Sequence, residues 1–265
     1  MPDSLRTAPM PAALQTALLI LTGISALAVL GWSVLRCIRH RDPLALFVII
    51  GTQLAAPYEG LGDRLLHVYY PEVDQIGFLH AFGRDIPLFV QLLYLPYIVP
   101  FVVLFIRRLQ TTGFTRRSWW STWLVTLVST NVMEMVVLQF GRAWIYYGDQ
   151  PAVVFDIPVW VALTNTTFLF SIATAAYLIV TRAPSRYHWL VVPATAICLA
   201  VGHAVIATPM DLALNGYADP KIIQVVSLVI AVAIAGLCWR MLHPSGAVRW
   251  GEKGADAQQH TSKAR

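Results

Sequence analysis

The sequence predicts an all-α membrane protein, a bundle of seven transmembrane helices with the N-terminus outside and the C-terminus in the cytosol. Three observations lead there. Only 12% of the 265 residues are charged, against roughly 25% in a soluble domain, and mean hydropathy is +0.61. Apolar residues gather into seven segments close to the roughly 20 residues that cross about 30 Å of hydrocarbon. The charges are sorted between alternate connections. Of 19 Lys and Arg, 14 lie in one set: Arg36, Arg39, Arg41; Arg107, Arg108, Arg116, Arg117; Arg182, Arg186; and Arg240, Arg249, Lys253, Lys263, Arg265. Ten of the 14 acids lie in the other set or at its edge: Asp3, Glu59, Asp63, Glu72, Asp74, Asp85, Asp149, Asp156, Asp211 and Asp219. Short basic loops stay cytoplasmic, which sets the expected orientation in a bacterial plasma membrane.

The first expected span, residues 12–35, is longer than the apolar core of a signal peptide and runs at once into Arg36–Arg41, which reads as a retained anchor. The second, 43–58, is short and passes into the amphipathic stretch from Pro57 to His67, so its outer end is undefined. The third, 86–106, stops at Arg107, and the fourth, 119–141, starts after Arg117 with the belt residues Trp119 and Trp120. The fifth, 157–181, stops at Arg182. The sixth, 188–208, ends at Pro209 with Asp211 as its cap, and the seventh, 220–242, begins at Pro220. Residues 1–11 form an extracytoplasmic segment, 12–243 the transmembrane domain, and 244–265, polar and rich in Gly, Ala and Gln, a disordered cytosolic tail.

Several function classes drop out. The pI near 9.3 comes from basic residues spread over short loops, with no single patch, so no nucleic-acid partner is expected. Cys37, Cys198 and Cys238 fit neither a disulfide framework nor a metal site. No P-loop, dinucleotide fingerprint, nucleophile elbow or metal-ligand motif occurs, so no cofactor and no metal are expected.

What remains is a set of polar residues inside apolar segments. At about 1.5 Å per residue, Glu59, Glu134 and His203 each lie about 22–24 Å up their spans from the cytosolic side. Gln91 and Asn165 lie about 8 and 12 Å down from the other side. Five helices thus bring polar groups to the outer half of the bundle, which predicts a polar cavity open toward the non-cytoplasmic face. Glu59 and Asp63, four apart, share a helix face if the helix continues through Gly60 and Gly62; Asn131 and Glu134, three apart, share another. Outer loops add Arg142, Tyr146, Tyr147 and Asp211. Each has a structural alternative: Glu134 as an interhelical hydrogen-bonding group, Glu59 and Asp63 as a helix-end pair with Arg64, His203 as a core histidine, Asn131 and Asn165 as helix–helix glue, and Tyr146 and Tyr147 as interface aromatics.

A carboxylic acid kept protonated by burial donates a proton, while an ionised partner stabilises a cation. Glu134, deeper in its span, is the expected donor, and Glu59 and Asp63 the expected base or cation stabiliser. This suits cyclisation, dehydration or hydration of a lipophilic substrate.

The block Asn131-Val132-Met133-Glu134, then Gly141 through Tyr146-Tyr147-Gly148 to Pro151, then Ile157-Pro158-Val159-Trp160, resembles the central block of the AveC-like spirocyclase family of actinobacterial membrane proteins. Asn131 stands where an acid is common in that family, and Thr164-Asn165 where a Glu often follows. The resemblance implies spiroketal formation on a polyketide, with Glu134 as acid and Glu59 or Asp63 as stabiliser or base; the residues expected around the substrate are Asn131, Asn165, Gln91, Arg142, Tyr146, Tyr147, Trp160, His203 and Asp211. Two further classes fit the same residues: a membrane terpene or carotenoid cyclase, and a non-enzymatic ligand-binding, transport or accessory protein.

Overall fold

The computed structural model describes residues 9–243; residues 1–8 of the expected N-terminal segment and the expected tail 244–265 lie outside the described residues. The helices are α1 (Ala12–His40), α2 (Leu44–Leu54), α3 (Pro57–Leu65), α4 (Leu88–Thr111), α5 (Arg116–Gly141), α6 (Val159–Arg182), α7 (Val191–Leu214, preceded by a 3₁₀ turn at Ser185–Leu190) and α8 (Pro220–Leu242). Among the described residues, six helical segments are long and apolar enough to cross a membrane, or seven if α2 and α3 count as one broken span. The described residues form an all-α bundle of helices suited in length and hydropathy to a membrane.

The second span departs most from expectation. α2 and α3 meet at an angle of 58°. Pro57 has no N–H to return to the Gln53 carbonyl, and the Ala56, Tyr58 and Glu59 amides bond three residues back, to Gln53, Ala55 and Ala56. That tighter turn swings α3 away from the line of α2. The helix then does continue through Gly60 and Gly62. A second correction concerns α7, which runs past Pro209 to Leu214. Asp211 therefore lies in its last turn, accepting from the Asn215 side chain at 2.9 Å, instead of capping a helix that ends at Pro209.

α6 is the hub. It packs on α4, α5, α7 and α8, and between Trp160 and Phe170 every residue but Asn165 is buried. A helix apolar nearly all round belongs at the centre of a bundle. α1 is peripheral, packed on α4 and α2, with Ile20, Leu21, Ile24 and Leu27 facing outward. Glycines allow the closest approaches. A Cβ on Gly202 would lie 2.5 Å from the Phe168 Cβ across the α6–α7 contact, and one on Gly51 would lie 2.4 Å from the Val192 carbonyl oxygen. Without a hydrophobic drive between helices in lipid, such close packing holds them together.

The acid-bearing connections are not structureless. Strands β1 (Val68–Tyr69) and β4 (Ile145–Tyr146) pair antiparallel and tie the α3–α4 connection to the α5–α6 connection. β2 (Gly77–Ala81) and β3 (Arg84–Pro87) form a hairpin turned by Phe82 and Gly83, both at positive φ as a type I′ turn requires. β5 (Val153–Val154) and β6 (Ile157–Pro158) form a third pair. The hairpin rests on α3 so closely that a Cβ on Gly60 would lie 2.2 Å from the Ala81 carbonyl oxygen. Gln15 fastens the start of α1 to the same cap, donating to the Asp74 carbonyl at 2.9 Å and accepting from the Ile76 amide at 2.6 Å.

The Gly202→Ala protein is expected to unfold with a stability loss of about 1–3 kcal/mol, read as a lower Tm in detergent. Gly236→Ala, where an added Cβ meets nothing within 4 Å, leaves Tm unchanged or slightly raised.

Candidate functional site

Beneath the strand cap, α3, α4, α5, α6 and α7 enclose a cavity lined by Glu59, Asp63, Glu134, Asn165 and His203 together with aromatic and aliphatic side chains. Its empty space is about 700 Å³ with the open mouth included, of which about 90 Å³ can be reached by the centre of a water molecule. The space is narrow.

Three carboxyl groups line it. Glu59 lies in the first turn of α3, and both of its oxygens accept phenol hydrogen bonds, from Tyr70 at 3.2 Å and from Tyr94 on α4. Glu134 on α5 also accepts twice, from Tyr146 of β4 at 2.6 Å and from the Asn165 amide of α6 at 2.8 Å. Asp63, one turn after Glu59, differs. Its Oδ2 is buried and has no hydrogen-bond partner among the described residues. Burial, reinforced by the neighbouring carboxyls, holds the Tyr70 and Tyr146 phenols well above the usual tyrosine range. Both therefore stay protonated and serve as fixed donors.

His203 on α7 is at once lining and packing. Its Nδ1 sits 3.0 Å from the Leu199 carbonyl, its ring lies 5.0 Å from that of Phe168, and an added Cβ on Gly62 would lie 3.8 Å from its Cδ2. With Nδ1–H given to the carbonyl, Nε2 is left as an acceptor.

Of the residues expected around a substrate, the structure brings Asn165, Tyr146 and His203 to the cavity. The others lie elsewhere. Gln91 is buried next to α2 without a side-chain hydrogen bond among the described residues, and its carbonyl accepts from Gln53 at 3.4 Å. Asn131, three residues before Glu134, is half-buried outside the cavity lining. Arg142 is the exposed left-handed cap of α5. Trp160 is fully buried, its indole N–H given to Gln150 at 3.2 Å. Tyr147 stacks on His67 at 4.8 Å and accepts from Arg84 at 2.6 Å, while Asp211 faces His67 at 3.8 Å. Arg64, the expected partner of the α3 acids, is exposed. Tyr147 and Asp211 thus belong to the cap, and Gln91, Asn131 and Trp160 lie on helix faces turned away from the cavity.

Sequence reasoning missed Tyr70, Tyr94, Tyr97 and Trp144, all cavity-lining. Tyr94 and Tyr97 follow Gln91 at intervals of three on one face of α4, a spacing that marks a polar stripe in an apolar span. Tyr97 extends that stripe by donating to Thr130 at 3.0 Å, since the Thr130 hydroxyl is itself given to the Thr126 carbonyl. Among the described residues, no three His, Cys, Asp or Glu are grouped to hold a metal ion. The chain matches no family model, and no curated protein or solved structure matches it.

In the cap, burial lowers the His67 pKa below its usual value, partly offset by Asp211. Below about pH 6.5 the unfolded chain binds a proton that folded His67 resists, so stability falls as pH drops through that range. The fall in Tm between pH 7.5 and pH 5.5 should therefore be shallower in His67→Gln than in the parent protein.

Proposed function

We propose that this chain is a cell-membrane cyclase or dehydratase acting on a lipophilic precursor, spiroketal closure of a polyketide being the foremost case, as the resemblance to the AveC-like spirocyclases implies. The basic ends of the helices face the cytosol in this reading, so the cavity opens toward the extracytoplasmic side. The observation that carries it is the meeting of Glu59, Asp63 and Glu134 in one narrow, aromatic-walled cavity, with one carboxyl oxygen left without a hydrogen-bond partner among the described residues.

Spiroketal closure needs few parts. One hydroxyl of a dihydroxy-ketone adds to the carbonyl carbon to give a hemiketal. Protonation of the hemiketal hydroxyl breaks its C–O bond, water leaves, and an oxocarbenium ion forms. The second hydroxyl then adds to that carbon and gives up its proton. Glu134 and Glu59 have both oxygens engaged by fixed donors. Fixed donors thus already engage both, so the acid role passes in this proposal from Glu134 to Asp63, whose Oδ2 has no hydrogen-bond partner among the described residues. In this proposal Glu59 and Glu134 stabilise the cation electrostatically, helped by the cavity-lining aromatic rings of Tyr97 and Trp144. The same set would serve a terpene or carotenoid cyclase, where the proton goes to an epoxide or alkene.

A second reading, a non-catalytic holder of a lipophilic ligand, is favoured by the size of the space. About 90 Å³ of water-accessible room takes a few waters or the end of a chain, not a whole polyketide.

In a producing strain, Asp63→Asn is expected to lower cyclised product by about 10²-fold or more, with build-up of the open precursor. Glu134→Gln should lower it less. Normal product from Asp63→Asn at normal protein level would discard the catalytic reading, and recovery of the same unaltered ligand from both proteins by native mass spectrometry would support the holder. For orientation, single cysteines at Asp149 and Arg186 in a cysteine-free background are expected to label from opposite sides of the membrane. Labelling from one side would remove the seven-span topology.

A further inference from the structure

At the other end of the bundle a second cleft opens between the α1–α2 turn, the end of α4 and the 3₁₀ turn before α7. It is roomier, with about 260 Å³ open to water centres against about 90 Å³ in the acid-lined cavity. Its polar rim holds Arg36, Arg41, Asp42, Arg107 and His188, and Phe47 and Val180 belong to its apolar floor.

The charges in this cleft do not cancel. Arg36 gives both Nε and Nη2 to Asp42 Oδ2, at 2.8 and 2.6 Å, and Asp42 Oδ1 accepts from the Leu44 amide at 3.1 Å. The acid is thereby neutralised and committed to opening α2. Arg41 and Arg107 are exposed, and their side chains form no hydrogen bond or ion pair among the described residues. Two guanidinium groups thus share one cleft with no further acid among the described lining residues. His188 gives or shares one ring nitrogen with the Ala183 carbonyl at 3.2 Å, which fixes the imidazole at the rim. Arg41 is the left-handed C-cap of α1, at φ 51, which ends the helix at the mouth of the cleft.

We propose that this cleft binds a phosphate-bearing anion, with Arg41 and Arg107 as the forked donors to its oxygens and the apolar floor receiving the carbon skeleton attached to it. Guanidinium groups match phosphate geometry in pairs of parallel hydrogen bonds, and basic pockets between membrane helices take phospholipid headgroups. The same chemistry is presented by a membrane phospholipid and by a soluble phosphate monoester. The site is independent of the carboxyl cavity and of the reaction proposed there.

The test is native mass spectrometry of the full chain in neutral detergent, with phosphatidylglycerol, diacylglycerol or glycerol 1-phosphate added in turn. Phosphatidylglycerol should form a 1:1 adduct that diacylglycerol does not. An adduct with phosphatidylglycerol alone assigns the site to a lipid headgroup, and adducts with both phosphates assign it to the phosphate group itself. Arg41→Gln/Arg107→Gln should weaken the adduct by about tenfold or more. Arg41→Lys/Arg107→Lys, which keeps the charge but loses the fork, should bind more weakly than the parent and more tightly than the Gln double variant, and Arg116→Gln, outside the cleft, should match the parent protein. A Tm measured without lipid shows whether each variant is folded. Equal adducts with phosphatidylglycerol and diacylglycerol, or an undiminished adduct in the folded Gln double variant, would overturn the proposal.

Discussion

A carboxyl group set at membrane depth must be met by hydrogen-bond donors, and this requirement organises the upper half of the bundle. Glu59 and Glu134 each receive two donors, and the four donors come from four different places: Tyr70 after α3, Tyr94 on α4, Tyr146 in β4 and Asn165 on α6. The bonds that satisfy the acids therefore also stitch together helices distant in sequence. Taking away one donor leaves a buried acceptor unmet, at a cost of about 1–3 kcal/mol. Any chemistry done in the cavity uses groups already bound to the architecture. Asp63 is the exception, a buried carboxyl whose Oδ2 accepts no hydrogen bond among the described residues.

The two ends of the bundle solve different problems. At the acid-bearing end, three short strand pairs give the loop amides and carbonyls partners, and Arg84, Tyr147, His67 and Asp211 form a chain of stacked and polar contacts above the cavity. The result is a fixed roof over a narrow space. At the arginine-rich end, the turns are short, and Asp42 answers only one of the neighbouring guanidinium groups. One end is tied together by strand pairs and side-chain bonds, and the other, among the described residues, keeps unpaired guanidinium charge.

Hydropathy made the spans legible, because burying backbone in lipid leaves few alternatives to a helix of fixed minimum length. Each predicted segment overlaps a helix, though α1, α4 and α7 run several residues further. The bend between α2 and α3 was only half legible. Pro57 is visible, but whether a missing N–H breaks a helix or merely kinks it depends on what the freed segment packs against, here the hairpin pressed on Gly60. Strands of two residues carry no periodicity to read. In the site, depth and spacing placed Glu59, Asp63, Glu134, Asn165 and His203 near one level, and all five line the cavity. Depth does not give rotation about a helix axis, which is why Gln91 and Asn131 were placed with them. Tyr94 and Tyr97 were overlooked for the opposite reason, since a tyrosine near a membrane surface has an ordinary role as an interface residue.

The hinge at Ala55 and Ala56 sets more than an angle. α3 has nine residues, and each residue added or removed ahead of it would turn its face by about 100°. Glu59 and Asp63, a single turn apart, would swing together out of the hollow and into the surrounding lipid or the neighbouring backbone. The number of residues between Gly51, wedged against α7, and Glu59 thus acts as a phase lock, tuning two acidic groups to the chamber by chain count alone.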